Sequence, residues 1–238
     1  MLTSCSDRRP RLLDLFCGAG GATRGYQMAG WHVTGIDVAP QPRYSGDVFI
    51  HGDALEFVRE HGREFDVIHA SPPCQHDCAL TAGTNQGRRE RYPDLVPPTR
   101  ALLSEIGRPY VIEQPQGRAP IRRDVTLCGE MFGLRVLRHR HFELGGWAVS
   151  PPIHRRHRGR VQGWRHGVYY PGPYVAVYGE GGGKGSVSEW QEAMGIDWTD
   201  VRKEIAEAIP PAYARWIGER LIRLVSGEGG RTHADTLF

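Results

Sequence analysis

Apolar residues in the first half of the chain come in short runs that are separated by glycine, proline and charged residues. Five runs have the length and composition of buried strands, and they cover residues 11–16, 31–37, 47–53, 65–70 and 108–115. Three stretches between them space their apolar residues as helices do, at 21–30, 54–62 and 96–107. Because strands alternate with helices, the sequence predicts an α/β fold with a parallel sheet.

The pattern changes after residue 143. Residues 144–186 are rich in glycine, proline and arginine, and 174–179 is the segment there that resembles a strand. Helical spacing returns in three later segments, at 187–194, 199–208 and 210–224. We therefore expect an α/β domain, a short insert, C-terminal helices that pack back on the first domain and a disordered tail, with the ranges 1–143, 144–186, 187–226 and 227–238.

A candidate binding or catalytic residue follows each of the five predicted strands. These residues are Gly18, Asp37, Asp53, Cys74 and Glu113. In parallel α/β sheets ligands bind beyond the carboxyl ends of the strands. The sequence therefore predicts one site at this edge, built from all five.

The first of these positions lies in the glycine-rich stretch DLFCGAGG, residues 14–21. Such a turn lets a ligand approach the backbone at the start of a helix. Asp37 follows roughly 20 residues later, where a carboxylate can hold the two hydroxyls of a ribose. Asp53 is placed to accept a bond from an adenine amino group. The chain has neither a G-x-G-x-x-G pattern nor a P-loop lysine here, so an adenosine-containing ligand is favoured, although a helix cap or loop role explains each aspartate taken alone.

Cys74 stands in the sequence SPPCQ, residues 71–75. Pro72 and Pro73 restrict the backbone and hold the thiol rigidly at the ligand edge, as a nucleophile requires, while the alternative is an inert cysteine in a turn. Cys74, His76 and Cys78 also lie close together, but zinc sites usually need a second ligand pair. We therefore expect no metal.

Composition and charge narrow the class of protein. The chain has 238 residues, of which 39% are hydrophobic and 24% charged, and no apolar run approaches membrane-spanning length. The absence of a signal-peptide pattern and the odd count of five cysteines indicate an intracellular, cytoplasmic protein with free thiols. A net charge of +3 is mild, but arginines cluster between 118 and 166. This stripe is either a phosphate-binding surface or a solvated basic face; its members are Arg118, Arg122, Arg123, Arg135, Arg138, Arg140, Arg155, Arg156, Arg158, Arg160 and Arg165.

Taken together, the motifs resemble those of the DNA cytosine-5 methyltransferases over nearly the whole chain. They occur in the family's order as DLFCGAGG, GID, GD, SPPCQ, VIEQP, RHRHFE and AIPPAYARWIG. The resemblance implies a Rossmann-like sheet and S-adenosylmethionine as cofactor. It implies catalytic roles for Cys74, Glu113, Arg138 and Arg140, and cofactor contacts from Asp14, Phe16, Gly18, Gly20, Gly21, Asp37, Asp53 and Pro73.

By the same resemblance, the Cys74 thiolate would add to C6 of a flipped cytosine, so that C5 can accept the methyl group. Glu113 would bond N3 and the exocyclic amine, Arg140 would bond O2, and Arg138 would help to position the nucleotide. The partner would be double-stranded DNA, contacted by Gln75, Arg155, Arg156, Arg158, Arg160 and Arg165. We expect a monomer without a membrane partner.

The chain departs from the family pattern at four places. Glu113-Gln114-Pro115 replaces Glu-Asn-Val, Val136 replaces the leading glutamine of the arginine motif, and the last motif lacks its Gly-Asn pair. The insert is also short, with room for only a loop or hairpin where the family has a target-recognition domain. Compact enzymes of this kind are typical of phages, which suggests such an origin.

Other functions also fit the sequence. The same chemistry on RNA is one, and a catalytically silent nucleic-acid-binding module on this scaffold is another. A zinc-binding regulator that uses Cys74, His76 and Cys78 is a third. The altered last motif also leaves room for a modified sulfonium donor.

Overall fold

The computed structural model describes residues 8–73, 94–179 and 185–227. Expectations for Cys74, Gln75, His76, Cys78 and the tail from residue 228 onward fall outside these residues. Within them, no helix is long and apolar enough to cross a lipid bilayer.

Seven strands form the central sheet, in the order β3-β2-β1-β4-β5-β7-β6. The first five strands of that order are parallel, whereas β7 runs antiparallel to both β5 and β6. The sheet is therefore mostly parallel, and the predicted α/β class is confirmed. The strands are β1 Arg11–Leu15, β2 His32–Asp37, β3 Val48–His51, β4 Val67–Ala70, β5 Tyr110–Pro115, β6 Val125–Leu127 and β7 Arg140–Gly145.

Successive strand residues point to opposite faces of the sheet. Because both faces carry apolar residues, helices pack on both of them. Leu12 and Val33 lie on the face that packs against the first and last helices, and Leu13 and Ile36 lie on the other face. The described helices are α1 Gly21–Met28, α2 Ala54–His61, α3 Val96–Ile106, α4 Val187–Met194, α5 Arg202–Glu207 and α6 Pro211–Val225.

The order of the sheet fixes the place of a ligand site. From β1 the chain runs outward to β2 and β3, and then crosses to β4 on the other side of β1. Such a reversal opens a crevice beyond the carboxyl ends of the two central strands. The glycine turn after β1 and the proline turn after β4 both begin there.

The insert contains an antiparallel hairpin of β8 Gly163–Arg165 and β9 Val168–Tyr170. The expected strand at 174–179 does not form, and only Tyr174 makes an isolated bridge, to Val161. Instead, the Val175 N–H donates to the Arg135 carbonyl at 2.7 Å, and Val175 is buried against Trp190 and other residues of the C-terminal helices. The end of the insert therefore belongs to the core rather than to a separate unit.

Candidate active site

The glycine-rich turn after β1 is built from left-handed backbone. Phe16, Gly18 and Gly20 have φ angles of 58°, 51° and 91°. A Cβ on Gly20 would lie 2.5 Å from Ser45 Oγ, so a side chain there has no room. At Gly18, by contrast, no atom of the described residues other than its chain neighbours lies within 4 Å of the place that a Cβ would take. The backbone at Gly18 is therefore open to close approach by a ligand.

The two carboxylates that are predicted to bind the ribose and the adenine accept hydrogen bonds from backbone N–H groups. Asp37 accepts a hydrogen bond from the Gly18 N–H at 3.0 Å and another from Ala39 at 2.9 Å. Asp53 caps α2, where its Oδ1 accepts bonds from the N–H groups of Leu55 and Glu56 at 2.8 Å each. The helix-cap role that the sequence left open is therefore present at Asp53. Both carboxylates still lie at the carboxyl ends of β2 and β3, where the sequence places them.

Asp14 lies beneath this turn, fully buried in β1. Its Oδ2 accepts a bond from the Thr23 hydroxyl at 2.5 Å, but its Oδ1 has no hydrogen-bond partner in residues 8–73, 94–179 or 185–227. Burial raises the pKa of Asp14 to about 7, and the charges of Asp37 and Glu113 act in the same direction, while the Thr23 bonds oppose the rise. Asp14 thus supports the turn from below, and its role as a cofactor contact stays a prediction.

The C-terminal segment supports the turn from behind. A Cβ on Gly21 would lie 2.5 Å from the Ile209 carbonyl oxygen, so the start of α1 approaches that backbone closely. The Trp198 indole donates to the Ala19 carbonyl at 2.9 Å. The conformation of the turn thus depends on residues far along the chain, and Gly21 serves this packing.

Glu113 is buried in β5 at the same edge of the sheet. Arg140 Nε lies 2.8 Å from Glu113 Oε1, so the two groups form an ion pair. Within the part of the chain that the structure describes, Oε1 accepts no hydrogen bond of good geometry. Burial raises the pKa of Glu113, although Arg140, Arg138 and the Ser71 hydroxyl oppose the rise. A buried carboxyl oxygen without a partner indicates a place for a ligand group.

A buried chain of hydrogen bonds leads to this carboxyl group. The Tyr26 hydroxyl is 2.9 Å from His69 Nδ1, His69 Nε2 is 2.9 Å from Ser71 Oγ, and Ser71 bonds Glu113. Burial lowers the pKa of His69 to about 3, so this imidazole is neutral. This chain of hydrogen bonds could not be predicted from the sequence, since nothing local distinguishes His69 from other structural histidines.

Gln114, the residue after Glu113, holds the segment that follows β4 in place. The Gln114 side-chain amide, which is buried, donates to the Pro72 carbonyl at 2.6 Å. Pro72 is buried and Pro73 is exposed at the carboxyl end of β4. The Gln114 amide therefore holds the backbone two positions before Cys74 in the sequence.

Arg138 holds the surrounding backbone. Its guanidinium donates to the carbonyls of Val177, Ala206 and Ala208, and its own carbonyl accepts a bond from the Tyr213 hydroxyl at 3.0 Å. Because Arg138 has a φ of 36°, these bonds also hold an uncommon backbone conformation. The expectation that Arg138 positions a nucleotide stays a prediction, and the contacts show that it joins the insert to the C-terminal helices.

Some arginines of the basic stripe contact other side chains, and others are exposed. Arg158 Nε donates to Glu130 at 2.7 Å, and Arg160 lies over the Tyr170 ring at 5.1 Å. Arg155 and Arg156 are exposed, and Arg165 is the last residue of β8. Trp164 on the same hairpin is 66% exposed. A surface with exposed cations and aromatic rings suits contact with nucleic acid.

A further group of potential metal ligands includes His139, the residue between Arg138 and Arg140. It consists of Cys128, His139, His154 and His157. No residue of the predicted catalytic set belongs to it.

Comparison with known proteins identifies the fold. No protein-family model and no curated protein matches the chain. Among solved structures, the Dnmt2 methyltransferase of S. pombe matches with a TM-score of 0.57 and 14% identity over 92% of this chain and 99% of that one. A protein described as a DNA modification methyltransferase encoded within a prophage (E. coli) matches with a TM-score of 0.56 and 11% identity over 91% and 99%. The methyltransferase EhMeth of Entamoeba histolytica matches with 0.56 and 9% over 92% and 99%. The predicted methyltransferase-like fold is thereby confirmed.

Proposed function

We propose that the protein transfers a methyl group from S-adenosylmethionine to C5 of cytosine in DNA. The observation that carries this proposal is Glu113, whose buried Oε1 has no hydrogen-bond partner among the described residues although it lies 2.8 Å from Arg140 Nε. A carboxyl group beside a guanidinium matches the edge of a cytosine ring, which offers N3, an exocyclic amine and O2. The fold shared with three methyltransferases supports the choice.

The turn after β1 fits the cofactor. The backbone of this turn is open at Gly18. Asp37 ends β2 and Asp53 follows β3 as the cap of α2, and their carboxylates are suited to bind a ribose and an adenine. When bound, the cofactor supplies an activated methyl group on its sulfonium. The residues that would hold it are Phe16, Gly18, Asp37 and Asp53.

Glu113 and Arg140 would bind the target base. Burial favours the protonated form of Glu113, and its hydroxyl can then donate to cytosine N3 while the second oxygen accepts a bond from the exocyclic amine. Arg140 can donate to O2. This arrangement draws electron density from C6 and makes that carbon electrophilic.

Cys74 is the proposed nucleophile. Its thiolate sulfur would bond to C6, and the electrons of the C5–C6 double bond would move to C5. C5 would then take the methyl group as the bond from that group to the sulfonium sulfur breaks, which leaves a neutral thioether. A base then removes the C5 proton, the double bond forms again and the S–C6 bond breaks. Gln114 contributes by holding Pro72, two residues before the sulfur.

The insert is the proposed DNA-binding surface. The exposed Arg155 and Arg156 would contact phosphates, and the hairpin residue Trp164 would stack on or wedge between bases. Because C5 is inaccessible inside a duplex, the target base must be flipped out.

Covalent trapping tests the proposal. The protein is incubated with S-adenosylmethionine and DNA containing 5-fluorocytosine, in which the fluorine at C5 prevents the final elimination. We expect an adduct that survives denaturation, is absent in Cys74→Ser and persists in the matched control Cys78→Ser. RNA of the same sequence is tested in parallel.

The outcomes separate the alternatives. An adduct on RNA alone would replace DNA by RNA as substrate. Binding of both nucleic acids without any adduct would support the silent binding module and overturn the proposal. Loss of the adduct in both serine variants would show that the two cysteines act together, as a metal site through Cys74 and Cys78 requires.

A further inference from the structure

Four side chains converge where the insert meets the sheet. Cys128 follows β6, His139 precedes β7, and His154 and His157 belong to the insert. One possible ligand atom from each lies within 4.8 Å of the other three. The Nε2 atoms of His139 and His154 are 3.1 Å apart. Tetrahedral zinc with Zn–N bonds of about 2.0–2.1 Å separates two ligand nitrogens by about 3.3 Å, so this spacing is close to that of a formed site.

The chemistry of these ligands favours zinc. A thiolate with imidazoles suits zinc, whereas magnesium and calcium require oxygen ligands. Four protein ligands also close a tetrahedral site, which is typical of a structural rather than a catalytic metal.

A carboxylate orients one of the ligands from outside the cluster. Glu130 Oε2 accepts a bond from His157 Nδ1 at 2.8 Å, which selects the tautomer whose Nε2 lone pair is available to a metal. Arg158 Nε donates to the other oxygen, Glu130 Oε1, at 2.7 Å and so holds the carboxylate in this orientation. A carboxylate behind a histidine is the usual outer shell of a zinc site.

The insert has a structural need for such an ion. Residues 151–160 contain no helix or strand, and most of them are exposed, including Ile153 at 86%. A segment that buries so little apolar surface gains little free energy from packing, and metal ligation is a common substitute in small units.

We propose that Cys128, His139, His154 and His157 bind one zinc ion that fastens the insert to the sheet. The ion would hold His139, which stands between Arg138 and Arg140, and so would fix the insert beside the proposed base-binding residues. The sequence-based expectation of no metal considered only Cys74, His76 and Cys78. The site is independent of methyl transfer, and its test does not depend on activity.

Metal content is the first test. Protein without an affinity tag is purified from zinc-supplemented medium and analysed by elemental mass spectrometry. We expect one zinc per chain in the wild type and in His166→Ala, and much less in His154→Ala, the matched change of an exposed histidine within the cluster. Glu130→Gln should weaken zinc affinity about 10–100-fold without abolishing binding.

Two further experiments follow. Cobalt substitution tests whether Cys128 is a metal ligand, and trypsin digestion tests whether the metal stabilises the insert. Cobalt in the wild type should show a thiolate charge-transfer band that Cys128→Ser loses. Removal of zinc by a chelator should speed cleavage after Arg155 and Arg156, and added zinc should restore protection. Absence of stoichiometric zinc from the wild type would overturn the proposal and leave a cluster held by imidazole contacts alone. Retention of zinc by both His154→Ala and Cys128→Ser would overturn it as well.

Discussion

Replacement of Asp14 by asparagine should change the pH dependence of folding. In the folded protein burial raises the pKa of Asp14 from 3.8 to about 7. The folded state therefore binds a proton that the unfolded state has released, and stability falls as pH rises between these two values. One pKa unit is worth about 1.4 kcal/mol, so the full penalty is about 4 kcal/mol above about pH 7.

The assay compares two proteins at two pH values. Between about pH 5 and about pH 8, Asp14 should cost the wild type about 2.5 kcal/mol of unfolding free energy. An asparagine at this position cannot ionise, while its amide oxygen still accepts the Thr23 bond, so this slope disappears in Asp14→Asn. Unfolding in urea without cofactor, at several pH values, measures the difference between the two curves. All groups common to both proteins, including His69, cancel in that difference.

The control is Asp47→Asn. Hydrogen bonds from Val33, Gln27 and Arg9, together with the Arg9 charge, outweigh burial and lower the pKa of Asp47 to about 2. Its contribution therefore changes only in more acidic solution, and its curve should run parallel to that of the wild type above about pH 5. If Asp14→Asn also runs parallel to the wild type, Asp14 is ionised in the folded state and the reasoning from burial fails.

Three further changes test the site. Gln114→Leu loses the bond to Pro72, so adduct formation should slow by about 10²-fold with cofactor binding unchanged; an unchanged rate in single-turnover trapping would refute this role. Arg138→Lys loses bonds to backbone carbonyls and should lower the unfolding free energy by about 2–4 kcal/mol in urea titrations; loss of DNA affinity at unchanged stability would instead make Arg138 a nucleotide contact. Ser71→Ala removes a bond that lowers the pKa of Glu113, so the alkaline limb of the pH–rate profile for adduct formation should move to higher pH; a limb that stays in place would show that Ser71 does not tune Glu113.

Much of the architecture could be predicted from the sequence because it depends on local patterns. The apolar runs mark β1 to β5, and glycine and proline mark the turns that follow β1 and β4. The order of strand and helix then places Gly18, Asp37, Asp53 and Glu113 at one edge, since parallel strands share a direction. The sequence did not predict β6, because three residues give too little periodicity, nor β7, whose six residues begin with arginine and histidine rather than with an apolar run.

Only the tertiary structure decided which side chains meet. Arg138 resembles a nucleotide contact in sequence, yet it bonds carbonyls of residues 177, 206 and 208. His69 becomes part of a chain to Glu113 because β4 and β5 are neighbours. Cys128 and His154 lie 26 residues apart without a recognisable motif between them. A sequence pattern reports contacts along one helix or strand, whereas these contacts join segments that the folding of the sheet brings together.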